Sequence, residues 1–152
     1  MHEQRESALL CRVRGLLCAL PLDHVEETMR PMAVEPIAGV PAFLQGLAVV
    51  RGSAVPVVDA ALLLGGDNAP RPTRFVTVKA GRRRIALAVD AVIGIRAISP
   101  RSLEALPLLF QGSHLDAVSA IGTVDSELML VLRSARLVPE DAWAAIDADG
   151  SA

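Results

Sequence analysis

The chain is expected to be all-β, organised as small barrels in two related halves. Short β-prone runs of five to eight residues alternate with turn signals along most of its length. No stretch before the C-terminal segment sustains a helical period beyond about two turns. The second half also echoes the first in the order of its apolar and turn residues.

The elements follow in order. Residues 9–13 and 16–20 flank Arg14-Gly15 as a hairpin, and residues 25–29 lead into Pro31 and Pro36, which mark a strand end or edge. A second hairpin pairs 46–50 with 54–58 around Arg51-Gly52-Ser53, and 60–64 make one helical turn stopped by Gly65-Gly66. Residues 67–73 (DNAPRPT) read as a loop. A third hairpin pairs 74–79 with 84–89 around 80–83, and 92–98 extend to Ser99-Pro100. Residues 103–113 are irregular; 116–124 and 127–132 then flank Asp125-Ser126 as a fourth hairpin. Residues 139–146 suit a helix, with Pro139 in its first turn, Glu140 and Asp141 at the positive end of the dipole and Trp143 on the apolar stripe.

LDHV at 22–25 follows the first hairpin as VDAV at 89–92 follows the third. The second and fourth hairpins correspond likewise, with Arg51 against Asp125 and Leu63 against Leu137. Repeats of about 70 residues, each of two hairpins and a turn of helix, point to a pseudo-twofold plan.

Composition removes several classes of function. With 152 residues, 52% of them hydrophobic and a net charge of −2, the chain has material for one core and is not disordered. Fifteen Lys and Arg against 17 Asp and Glu, with 3% aromatics, leave no basic surplus for general nucleic-acid binding. No apolar run reaches the roughly 20 residues of a membrane span, and MHEQRES at the start is charged where a signal peptide is apolar, so a cytoplasmic location is expected.

Signatures of catalysis are absent: there is no phosphate-binding glycine loop, no HExxH and no CxxC. His24 and Glu26 share a strand face but lack an evident third ligand; His2 sits in a terminal tail and His114 in an irregular loop. Cys11 and Cys18 lie symmetrically about Arg14-Gly15 and are expected to be reduced core residues. Lys79 and Arg82-Arg83-Arg84 are expected to form a solvated basic turn. Residues 40–59 differ, because they present one arginine, Arg51, at the tip of a nearly apolar hairpin. A guanidinium on a rigid hairpin beside apolar surface suits an interface and can pair bidentately with a carboxylate.

These residues resemble the CheW-like coupling proteins of bacterial chemosensory arrays. The segment VPAFLQGLAVVRGSAVPVVD at 40–59 carries the likeness, with VEE at 25–27, LAVDAV at 87–92 and LMLVL at 128–132 in family order. It covers about residues 9–138 of a single domain spanning 1–152, with a C-terminal helix and tail over 139–152. The resemblance implies two intertwined five-stranded SH3-like barrels with short helices. It also implies a scaffold that is not an enzyme and holds no cofactor or metal, coupling the cytoplasmic tip of a methyl-accepting chemoreceptor to a CheA-type histidine kinase.

By position, the receptor-facing groove involves Val25, Glu27, Thr28, Gly46, Val50 and Arg51, with Gly46 permitting close approach of the partner. The kinase-facing surface is expected on the second barrel around Ala86, Asp90 and Val92. The chain departs from the family at Val49, where a polar asparagine is usual, at Arg133, at Thr28 in place of isoleucine, and at Cys11 and Cys18 in place of aromatics. Two other readings stay open: a small-molecule-binding barrel or minor enzyme, and a stand-alone domain that modulates a kinase without coupling it to receptors in a non-flagellar pathway.

Overall fold

The computed structural model describes residues 6–66, 72, 74–98 and 114–150. The loops expected over 67–73 and 103–113 lie outside the described residues, Pro72 apart, as does His2. Among the described residues, ten strands form two five-stranded sheets. Strands are numbered in chain order. Sheet A runs β8 (Ala91–Ile98), β1 (Glu6–Val13), β2 (Leu16–Pro21), β10 (Glu127–Leu132), β9 (Val118–Val124). Sheet B runs β3 (Val25–Met29), β6 (Arg74–Ala80), β7 (Arg83–Val89), β5 (Ser53–Asp59), β4 (Leu44–Val50).

Moving every strand five places along the chain converts one order into the other, so the echo in the sequence is a repeat of the fold. Each sheet draws strands from both halves through one parallel pair, β2 with β10 and β5 with β7. The halves are therefore intertwined. The repeat extends to irregularities: β4–β5 shifts register between Leu44 and Gly46, and β9–β10 between Val131 and Leu132. It extends to single hydrogen bonds too, since Asp59 N–H donates to Phe43 O at 2.7 Å and Arg133 N–H to Ala117 O at 2.6 Å.

Strand alternation divides the apolar residues into three cores. Ala8, Leu10, Leu17, Ala19, Met129 and Val131 pack together on one side of sheet A. Ala48, Val50, Val55, Val57, Phe75, Ala86 and Ala88 do the same on one side of sheet B. The opposite faces, with Leu9, Leu20, Val76, Ile85, Leu87 and Leu132, pack into a larger core shared by both sheets. Among the described residues, β3 and β4 are the outer strands of sheet B, and β8 and β9 those of sheet A.

Turn chemistry adjusts several expected boundaries. Arg51 and Gly52 both have positive φ, 50° and 80°, which makes a two-residue type I′ turn and leaves Ser53 paired with Val50 inside the ladder. Gly81-Arg82 is likewise the whole third turn, because Ala80 pairs with Arg83. His114–Ala117 is a 3-10 turn, so β9 starts later than expected. Helix α1 (Ala60–Leu63) is capped by Asp59, whose Oδ1 accepts from Leu62 N–H at 3.1 Å. Helix α2 (Glu140–Gly150) runs longer than expected, with Pro139 just before its first residue.

Cys11 pairs with Cys18 across the first hairpin, and both are free, buried thiols in the shared core. Burial pushes each thiol up to about 12 from 9.0. A thiol titrating there is almost wholly protonated at pH 8, so neither is nucleophilic. A thiol-specific reagent at pH 8 is expected to label neither cysteine in the native protein and both in guanidinium; rapid native labelling contradicts this burial.

Candidate functional site

The site lies at the rim of sheet B, where the edge strand β3 faces the β4–β5 turn. Along β3, Glu26 and Thr28 are exposed and Val25, Glu27 and Met29 half-buried. Glu27 is pinned by Thr77 on β6: its N–H donates to Thr77 Oγ1 at 3.2 Å, and the hydroxyl lies 3.3 Å from Glu27 O. Across the rim, Arg51 donates from Nε to Glu27 Oε2 at 2.6 Å and from Nη2 to Oε1 at 2.9 Å. This bidentate pair joins the two open edges of sheet B. It remains wet, with side-chain exposures of 70% for Arg51 and 32% for Glu27.

An arginine with φ of 50° occupies a conformation that L-residues adopt at a cost of about 1 kcal/mol, where asparagine or glycine fits better. From this turn its guanidinium reaches β3. Arg84 on β7 adds a second pair at the same rim, 2.8 Å from Glu26. The hydrogen bond from Arg51 is the main influence holding the Glu27 carboxyl below its ordinary 4.5, against partial desolvation, with the charges of Arg51 and Arg84 acting the same way.

The receptor-facing residues expected from the sequence fall into two groups. Val25, Glu27, Thr28 and Arg51 line the rim, with Glu27 and Arg51 in contact. Gly46 and Val50 are buried, so neither offers a side chain to a partner. The expected reason for Gly46 is corrected: a Cβ there would lie 1.9 Å from Glu35 O and 2.9 Å from Pro36 Cα. Glu35 and Leu47 exchange two backbone hydrogen bonds of 2.8 Å, so the missing side chain admits the protein's own connector between β3 and β4.

The expected kinase-facing set does not form one surface. Ala86 is wholly buried inside sheet B, whereas Val92 is on β8 in sheet A and packs against the shared core. Asp90, between them, receives the Arg14 N–H at 2.6 Å and donates its own N–H to Arg12 O at 2.9 Å, tying the β7–β8 link to the first hairpin. The strand exchange between halves separates these residues. His24 and Glu26 also part: His24 Nδ1 lies 3.0 Å from Ser134 Oγ, and Glu26 pairs with Arg84.

Sheet A carries a matching rim that sequence reasoning missed. Arg96 on β8 pairs with Asp125 at the β9–β10 turn at 3.2 Å, joining the edges of sheet A with the charges reversed. Arg12 on β1 also pairs with Glu127 on β10, with Nη2–Oε1 at 2.9 Å. The alignment of Arg51 with Asp125 contained this reversal, since a cationic tip in one repeat faces an anionic tip in the other.

Two outcomes test this geometry. Gly46→Ala is expected to cost about 3 kcal/mol or more in urea unfolding, because a Cβ collides with backbone at a positive φ of 144°. Because the folded Glu27 carboxyl titrates below its unfolded value, its pair stabilises the protein at neutral pH and that contribution fades as pH falls below 4.5. Carboxyl NMR is expected to show Glu27 titrating below 4.5 in the wild type and moving upward in Arg51→Ala.

A family model described as the CheW-like domain matches residues 7–142. Protein FrzA of Myxococcus xanthus is 30% identical over 125 residues, covering 80% of this chain and 76% of FrzA. A probable chemotaxis protein CheW of Rhizobium etli is 26% identical over 102 residues, 66% of each chain. The crystal structure of the scaffolding protein TtCheW from Thermoanaerobacter tengcongensis shares the fold, with a TM-score of 0.80 at 20% identity over 91% of this chain and 96% of that one. With paired five-stranded sheets, a repeat that maps one onto the other and a family match across both, the chain belongs to the CheW-like domain family.

Proposed function

We propose that this protein is a cytoplasmic, non-enzymatic adaptor that couples methyl-accepting chemoreceptors to a CheA-type histidine kinase by protein–protein binding. The observation that carries the reading is the Glu27–Arg51 pair at the rim of sheet B, in a chain of this family. A bidentate pair that stays largely in water contributes little to folding, yet it holds a guanidinium in one place at an accessible edge. Beside it, Val49 on the outer face of β4 is 69% exposed, apolar surface of the kind a receptor's helical hairpin covers. Val25, Glu27, Thr28 and Arg51 supply the contact, while Gly46 and Val50 shape the hairpin from beneath.

We assign the kinase-facing surface to β8, just after Asp90 and with Val92 near its start, because Ile93 and Ile95 are exposed there. Ala86 acts there only through packing. Apolar side chains pack into clusters on both faces of each sheet, which favours surface binding over a ligand-carrying barrel.

Reconstitution with a CheA-type kinase and receptor-bearing membranes tests the proposal. The wild-type protein is expected to make kinase activity depend on receptor, and Arg51→Glu to weaken that dependence about tenfold or more with the fold unchanged by circular dichroism. Kinase activity lowered equally with and without receptor identifies a stand-alone modulator and overturns the coupling role.

A further inference from the structure

The basic tip of the β6–β7 hairpin is exposed, as expected from the sequence, but two of its arginines are also engaged by carboxylates. Arg83 donates from both Nη atoms to the Asp147 carboxylate on α2, each at 2.8 Å, and its guanidinium lies 4.3 Å from the centre of the Trp143 ring. Arg84 is committed to Glu26. Arg82 is exposed and makes no ion pair or hydrogen bond among the described residues. Between this tip and α2 runs a solvent-open groove of about 630 Å³, floored by Leu47 and Ala54 and walled by Arg82, Arg83, Trp143 and Asp147. Arg84, which pairs with Glu26 beside the Glu27–Arg51 rim, lines it as well, whereas Glu27 and Arg51 themselves do not.

The lining combines cations with apolar floor. A polyphosphate track needs several uncompensated cations, and here two of the three arginines are already neutralised by the protein's own carboxylates. One free guanidinium, one exchangeable pair and an aromatic wall instead suit a ligand with spaced carboxylates and an apolar face. The molecule already carries one such element. Helix α2, EDAWAAIDADG, has four acidic residues and no basic one; it buries Ala142 and Ile146 in the shared core and sets Asp147 on Arg83.

We propose that this groove docks an acidic amphipathic helix of a partner protein, its carboxylates meeting Arg82 and Arg83 and its apolar side chains covering Leu47, Ala54 and Trp143. The partner's carboxylate competes with Asp147 for Arg83 and takes Arg82 outright. Docking is consequently electrostatically steered and weakens with salt.

Trp143 is the only tryptophan in the chain and reports occupancy directly. The full-length protein is titrated with a tryptophan-free helical peptide bearing Leu on one face and Glu on the other. A saturable change in Trp143 emission is expected, about tenfold weaker for Arg82→Glu and for a peptide with Gln in place of Glu, and largely retained by Arg82→Lys and by Arg51→Glu. Because Arg82 sits on an exposed turn, unchanged circular dichroism is expected for its variants. No saturable change, equal binding of the Gln peptide, or loss of binding in Arg51→Glu overturns the proposal. So does an equal or stronger response to duplex DNA or to phosphatidylserine vesicles at matched charge.

Discussion

Parallel pairing of β2 with β10 and of β5 with β7 is the constraint on which the molecule depends. Each sheet would otherwise be broken where one half of the chain meets the other, leaving Leu17, Ala19, Val57 and Ala86 with unpaired backbone and half-covered faces. Strand exchange removes both problems together: it completes two ladders and brings their outer faces into a single shared core. Because the contacts that close each sheet are distant in sequence, the fold is cooperative across the chain, and a disturbance in either half reaches both sheets.

The open edges that this topology leaves are held by charge. In sheet B the cation is on the turn and the anion on the edge strand, and in sheet A the reverse. An ion pair at an exposed rim contributes far less than the apolar interior beneath it. Its consequence is positional, because bidentate geometry at Arg51 fixes the direction of the guanidinium and of the β4–β5 turn that bears it. A single pair thus serves both the shape of the sheet and the surface offered to a partner.

Charge also organises the third hairpin, but against a helix. Arg83 engages Asp147 and the ring of Trp143, so α2 is held on one side by these outer contacts and on the other by burial of Ala142 and Ile146. Together the rim and the α2 groove give one small domain two chemically distinct faces: one is an apolar edge with a fixed ion pair, the other a basic groove with an aromatic wall.

Much of this was legible in the amino-acid sequence. Alternating apolar residues and two-residue turns determine the four hairpins, and the match of 22–25 with 89–92 and of Arg51 with Asp125 determines the repeat, because period and turn chemistry are local properties. Exposure of Arg51 at a turn was likewise readable. Only tertiary structure decided that Glu27 is its partner, that Gly46 makes room for Glu35, that Ala86 is interior and that Arg83 seats α2. Each joins residues separated by strand exchange or by a fold in the chain, and a one-dimensional pattern carries no measure of the distance across such a gap.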